Sequence, residues 1–112
     1  MCTKSQLEAI EEEMVNYYRS VYGDSIDTII LYGSYARGDY SDDSDIDITA
    51  IVRGNRVELQ KKLKKMWDFS TEVGLAYDVI ISPTVIPYDE FEQYKEKLPY
   101  YRNIVKEGRK IG

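Results

Sequence analysis

The chain has 112 residues and a formal net charge of −5 at pH 7, which suits a single domain over residues 1–112 and disfavours a protein that follows long nucleic-acid strands by their phosphates. With one cysteine and no histidine, the composition excludes a disulfide framework and a histidine-based catalytic or zinc site. Apolar runs stay well short of the ~18 residues of a membrane span, so we expect no membrane segment. Because of the acidic net charge, we also expect no direct nucleic-acid partner.

The N-terminal segment predicts an amphipathic helix. Ser5 and Glu8 have the spacing of a capping box, and apolar residues then recur at steps of three and four as far as Gly23. These apolar positions are Leu7, Ile10, Met14, Tyr17 and Val21. The start of the chain is too polar for a secretory signal, so we expect a cytoplasmic protein. Cys2, as the single cysteine, cannot form a disulfide within the chain.

A strand and a glycine turn follow this helix. Residues 28–32 are a β-branched apolar run, which predicts a buried strand that enters a turn at Gly33. The next residues, from Ser34 to Arg37, predict a short helical turn closed by Gly38. Free backbone amides around Ser34 would then face an anion. We interpret residues 41–44 as turn and capping residues.

A second strand is predicted over residues 45–52, where carboxylates alternate with isoleucines. The period of two places Asp45 and Asp47 on one face of the strand and Ile46 and Ile48 on the other. Two neighbouring carboxylates repel each other, and a bound cation would remove that repulsion. The sequence therefore predicts a cation site at the start of this strand.

A second helix is predicted from a cap signal at Asn55 and Glu58 to Gly74. Its apolar stripe consists of Leu59, Leu63 and Met66, with Trp67 alongside. Its other side carries four lysines, Lys61, Lys62, Lys64 and Lys65. We interpret this lysine face as solvated, with a contact to an acidic partner as the alternative.

A third strand is predicted over residues 75–81, stopped by Pro83. It contains Asp78, and a buried aspartate is costly without a partner. If the second and third strands are neighbours, Asp78 joins Asp45 and Asp47 on one face. Three carboxylates suit a hard divalent cation, above all Mg²⁺, and two ions could share the group.

The last region predicts a helix that opens at Pro87 and is bent or restarted at Pro99. Its apolar side is Phe91, Tyr94, Leu98, Tyr101, Ile104 and Val105, and it ends at Gly108. The eleven tyrosines are interpreted mainly as amphipathic core, with an interface as the alternative for those near the C-terminus. The element order predicts an α/β domain with a mixed sheet of three or more strands and helices covering one face.

One motif carries a family resemblance. The pattern Gly33-Ser34-x10-Asp45-x-Asp47, placed between two strands, resembles the nucleotidyltransferases of the DNA polymerase β type, and most closely the minimal nucleotidyltransferases (MNT) encoded beside HEPN-domain toxins. The resemblance covers about residues 28–81 and extends to residues 99–104. It implies the polymerase β-like nucleotidyltransferase fold.

The resemblance also implies a reaction. An acceptor hydroxyl attacks the α-phosphate of ATP and pyrophosphate leaves, with Asp45, Asp47 and Asp78 as catalytic residues that hold two Mg²⁺ ions. Asp78 would also help to deprotonate the acceptor. Gly33 and Ser34 would bind the triphosphate, and Arg37 has two open roles: to neutralise phosphate charge, or to pair with Asp39 or Asp43 and hold the loop.

The implied biological role is that of an antitoxin in a type VII HEPN/MNT toxin–antitoxin pair. Such a protein would transfer AMP to a tyrosine hydroxyl of its cognate HEPN ribonuclease toxin, within a hetero-oligomer. Two alternatives stay open. The protein could be a non-catalytic antitoxin that acts by occlusion, or one subunit of a small-molecule nucleotidyltransferase of the aminoglycoside type.

Overall fold

The computed structural model describes residues 3–112, and Cys2 lies outside them. The first helix, α1 (Lys4–Tyr22), is capped by Thr3, which forms a reciprocal capping box with Gln6. The cap predicted at Ser5 is therefore wrong by two residues, because Thr3 already satisfies the first free amides. The helix ends at Gly23 as predicted, with φ 61°.

The buried face of α1 is rotated from the predicted stripe. Tyr18 and Tyr22 are buried, whereas Tyr17 and Val21 are only half-buried. The reason is hydrogen bonding: the Tyr18 hydroxyl donates to the carbonyl of Thr84 at 2.8 Å, and the Tyr22 hydroxyl donates to that of Leu59 at 2.8 Å. A buried phenol needs such a partner, and these carbonyls lie beneath positions 18 and 22.

Four strands form one mixed sheet in the order β3–β2–β1–β4. Strand β1 (Ile26–Tyr32) pairs antiparallel with β2 (Ile46–Val52), and β2 pairs parallel with β3 (Ile81–Pro87). A two-residue strand, β4 (Arg109–Lys110), joins the free edge of β1. The mixed α/β sheet is confirmed, and β4 is an element that the sequence pattern did not indicate.

The long helix α3 (Arg56–Tyr77) begins at the predicted cap, where the Asn55 side chain accepts from two backbone amides. It does not end at Gly74. Residues 75–77 complete the helix, so the strand predicted over residues 75–81 is wrong and β3 begins only at Ile81. Pro83 lies inside β3, which is possible because β3 is an edge strand whose outer side needs no amide donor.

Helices lie on both faces of the sheet. Helices α1 and α3 pack over the first face, where the main core includes Met14, Ile48 and Met66. Two shorter helices, α4 (Tyr88–Tyr94) and α5 (Pro99–Glu107), cover part of the second face around Ile51 and Phe91. The prediction that helices cover one face is therefore wrong, because apolar strand residues such as Ile51 also point to the second face and are buried there. Pro99 occupies the first turn of α5, which confirms the predicted restart.

On the predicted apolar sides of the helices, three side chains are exposed: Trp67, Leu98 and Val105. Within residues 3–112 we find no helix with the length and hydrophobicity needed to cross a bilayer.

Candidate active site

The turn after β1 is built against a carboxylate of β2. Gly33 has φ 76°, a backbone conformation that side chains rarely adopt. A Cβ atom at this position would lie 2.5 Å from Oδ2 of Asp47. The backbone then enters α2 (Ser34–Arg37), which ends at Gly38 in the left-handed conformation, as predicted. The turn therefore packs closely against the Asp47 carboxylate, and a side chain at position 33 would press on Oδ2 unless the carboxylate moved.

The two carboxylates of the motif lie at the start of β2. Ile46 and Ile48 are fully buried against the first-face helices, which places Asp47 on the second face, half-buried, with Asp45 exposed beside it. The predicted alternation of faces is confirmed. Burial raises the pKa of the Asp47 carboxyl above its usual range, the charge of Asp45 raises it further, and Arg37 partly opposes both. A cation near the pair would stabilise the ionised form.

Asp78 does not join this pair. It caps the C-terminal end of α3 in the left-handed conformation, φ 56° and ψ 49°, with its side chain exposed. There it lines a surface cavity of about 630 Å³ together with Asp42 and Asp43. Across residues 3–112 no three acidic side chains come close enough to hold a metal ion together. The predicted cluster of three carboxylates is therefore wrong, because its third member was assigned to a strand that is a helix end.

Ser82 occupies the place on β3 where Asp78 was expected. It is the register partner of Asp47 in the parallel pairing of β2 and β3. Its Oγ donates to Oδ2 of Asp45 at 3.4 Å. Ser82 was not among the predicted site residues, although the alternation of Ser82 and Thr84 with apolar neighbours is typical of a strand over residues 81–87.

Arg37 holds the turn to the rest of the molecule. Its Nε donates to Asp39 at 3.1 Å, and its Nη1 donates to Glu107 of α5 at 3.0 Å. These hydrogen bonds raise the pKa of the Arg37 guanidinium. Of the two roles left open, pairing with Asp39 is confirmed, and the contact with Glu107 is an addition. The phosphate contact stays a prediction.

Two tyrosine side chains, Tyr32 and Tyr100, pack against each other beside the carboxylates. Tyr32 is the register partner of Asp47 on β1, and its hydroxyl lies 2.7 Å from that of Tyr100 on α5. The rings meet edge to face with centroids 5.9 Å apart. Burial, followed by this hydrogen bond, raises the pKa of the Tyr32 phenol well above its usual value. Helix α5 thus touches the site through both Tyr100 and Glu107.

The donor set fits a magnesium ion. Asp45 and Asp47 supply carboxylate oxygens, and Ser82 adds a hydroxyl that contacts one of them. Magnesium is commonly bound by one or two carboxylates, with waters and substrate phosphates completing its shell. That no third carboxylate joins them among residues 3–112 is compatible with this mode, because a nucleotide would bring the remaining oxygens.

Comparison with known proteins agrees with this geometry. The profile of the nucleotidyltransferase domain family matches residues 8–111. A proposed protein adenylyltransferase of Methanocaldococcus jannaschii, MJ0604, is 38% identical over 98 residues, which are 88% of this chain and 90% of that protein.

Two solved structures share the fold. A chain of a toxin–antitoxin complex with AMP-PNP is similar with a TM-score of 0.53 and 16% identity, over 90% of this chain and 72% of that one. A chain of the tri-AMPylated Shewanella oneidensis HEPN toxin in complex with MNT antitoxin gives a TM-score of 0.53 and 15% identity, over 94% of this chain and 71% of that one. The predicted polymerase β-like fold is confirmed.

Proposed function

Because the chain belongs to the nucleotidyltransferase domain family, we propose that this nucleotidyltransferase transfers AMP from ATP to a tyrosine hydroxyl of a partner protein, a HEPN-domain toxin, and thereby acts as its antitoxin. The observation that carries the proposal is the contact between the Gly33 turn and the Asp47 carboxylate. It supports the proposal because the turn that would bind the phosphates lies against a carboxylate that would hold the metal, as the transfer requires. The names of the curated relatives, which are proposed protein adenylyltransferases, support a protein as acceptor.

The turn would receive the triphosphate. Gly33 lets the backbone come close to the phosphates, and Ser34 offers a hydroxyl and a backbone amide at the start of α2. Asp45 and Asp47 would hold Mg²⁺, which when bound neutralises charge on the phosphates. Ser82 orients the Asp45 carboxylate through its hydrogen bond. Substrate binding is therefore shared between the turn and the first residues of β2.

In the transfer itself, a bond forms between the acceptor oxygen and the α-phosphorus, and the bond from the α-phosphorus to pyrophosphate breaks. The acceptor hydroxyl must lose its proton. Asp78 lies outside the group of carboxylates, so that proton passes to Asp45, Asp47 or water. The chain's contribution is mainly to position the groups and to stabilise charge, which is what this kind of transfer asks of a protein.

The choice of a HEPN toxin rests on the fold shared with the MNT antitoxin complexes and on the sequence motif. A tyrosine that carries AMP would gain bulk and negative charge, which would block the binding of RNA to a ribonuclease. The two proteins would form a hetero-oligomer, since the acceptor must bring its own recognition surface.

The test is label transfer from α-labelled ATP to the co-purified HEPN protein. We expect transfer that requires Mg²⁺ and that falls by at least about 100-fold when Asp45→Ala and Asp47→Ala are combined. The matched control is Glu12→Ala with Glu13→Ala on the exposed side of α1, which changes the charge equally and should label normally. Undiminished labelling by the double aspartate variant would refute the proposal.

One observation favours a second candidate. In the part of the chain that the structure describes, the carboxylate group has no third member, which suits a protein that binds nucleotide and neutralises its toxin by occlusion without chemistry. Growth rescue separates the two functions. An occluding antitoxin would still protect cells when it carries the double aspartate substitution, whereas an adenylyltransferase would not.

A further inference from the structure

A groove of about 590 Å³ lies on the second face of the sheet, between α4, α5 and the beginning of β1. Its floor is apolar, with Ile30, Ile51, Phe91 and Ile104. Val105 also lines it and is 56% exposed. An exposed apolar residue beside an apolar floor is typical of a surface that another molecule covers.

The rim of this groove is basic. Within residues 3–112, Arg102, Lys106 and Lys110 lie on the rim without a carboxylate at ion-pair distance. The other charges of the rim are Lys95, which pairs with Glu92, Asp27, which pairs with Arg53, and Glu96. Among residues 3–112, the rim therefore has three cationic side chains without an ion-pair partner and one such carboxylate, Glu96. This local excess of positive charge contrasts with the chain's net charge of −5.

The spacing of these charges indicates the shape of the occupant. Arg102 and Lys106 are four residues apart on α5 and therefore share one side of it, with Val105 next to them. A helix laid along α5 could place carboxylates four residues apart opposite these cations and apolar side chains over Val105 and the floor. A nucleic acid fits less well, because three cations on an acidic protein make a weak phosphate site and the floor would stay uncovered.

We propose that this groove is the docking site for an acidic amphipathic helix of the protein that receives the nucleotide. The inference rests on the proposed function, since it takes a protein as acceptor. Helix α5 connects the groove to the active site: Tyr100 contacts Tyr32 and Glu107 contacts Arg37, while Arg102 and Lys106 line the groove. A nine-residue helix is about 14 Å long, so a partner docked here lies within reach of the carboxylates.

The test measures docking separately from chemistry. Calorimetry would follow binding of the HEPN protein, with its acceptor tyrosine changed to phenylalanine, to three forms of this chain: the wild type, Arg102→Glu with Lys106→Glu, and Val105→Asp. We expect each variant to raise Kd at least about 10-fold, and the loss caused by the double variant to shrink with added salt. Thermal unfolding checks that the variants fold, which exposed positions permit.

The matched control is Lys61→Glu with Lys65→Glu, which reverses two exposed lysines of the same spacing on α3. We expect it to change Kd less than about 3-fold, since neither lysine lines the groove. The inference is overturned if the groove variants bind like the wild type, if the α3 control loses binding instead, or if a single-stranded oligonucleotide displaces the partner from the groove.

The outcomes also separate this inference from the proposed function. Wild-type label transfer with no effect of the groove variants on binding would overturn the docking site and leave the activity standing. Groove-dependent binding without any label transfer would support the docking site and refute the proposed activity. Calorimetry on Asp45→Ala with Asp47→Ala should show binding like the wild type, because the docking surface does not include these carboxylates.

Discussion

Asp47 lies near the start of a strand and Asp78 at the end of a helix, and the surrounding structure fixes the two side chains to different extents. Asp47 is half-buried on a strand paired on both sides, with Tyr32 opposite it on β1 and Ser82 on β3, and the Gly33 turn packs on its carboxylate. Asp78 is an exposed helix cap, held by its own backbone amide bonded to Gly74. The contrast teaches that a carboxylate becomes a candidate ligand when neighbouring strands fix its position and burial makes its charge costly.

The sharpest way to break this comparison is to neutralise each aspartate in turn. We expect Asp47→Asn to lower label transfer by at least about 100-fold, because it removes a carboxylate charge that is proposed to hold Mg²⁺. Asp78→Asn should stay within about 3-fold of the wild type, since asparagine also tolerates the left-handed cap conformation. Initial rates of labelling at saturating ATP would measure both. Equal losses would show that Asp78 reaches the site after all.

A substitution at Gly33 tests the contact with Asp47 from the side of the turn. Gly33→Ala would place a methyl group 2.5 Å from Oδ2 of Asp47 at φ 76°, so we expect transfer to fall about 10- to 100-fold and stability to fall by about 1–2 kcal/mol. Gly23→Ala is the matched control, because Gly23 has φ 61° with nothing within 4 Å of the added atom. It should cost similar backbone strain and leave transfer intact. Chemical denaturation and labelling measure the two effects.

The smallest expected effect is a pH dependence of stability in metal-free buffer. The pKa of Asp47 is raised in the folded state, so ionising this group opposes folding. The wild type loses stability as pH rises from the ordinary carboxyl pKa through the raised one. Asp47→Asn removes that loss, so the variant should gain stability over the wild type at neutral pH and lose the advantage in acid.

Glu90 provides a control of opposite sign. Its pKa is lowered, first by the hydrogen bond from the Tyr101 hydroxyl and also by Arg56. Its contribution is therefore present at neutral pH and is lost as pH falls through the lowered pKa. Glu90→Gln should destabilise the protein at neutral pH and converge with the wild type in acid. Denaturation curves at neutral and acidic pH would measure the free energy of unfolding of both variants. A Glu90→Gln variant with the same pH dependence as Asp47→Asn would contradict the opposite pKa shifts of the two groups.

Most of the site near Gly33 was predictable from sequence. The glycine, the short helical turn, the strand and the alternation of Asp47 with buried isoleucines are local patterns with periods of a few residues. The same holds for the caps at Gly23 and Asn55. The side chains that complete the site, Ser82 and Tyr100, were missed because each is distant along the chain from the residue that it approaches.

The sequence by itself determined the motif, the fold class and the approximate positions of its helices, because these follow from spacing along one segment. Only the tertiary structure decided where β3 begins. The apolar residues 79–81 suit a strand, yet pairing with β2 starts only at Ile81. There the Ile46 amide donates to the carbonyl of Ile80 at 2.8 Å. Pairing energy comes from another segment of the chain, so no local pattern can place the boundary, and that boundary determined which side chain stands beside Asp47.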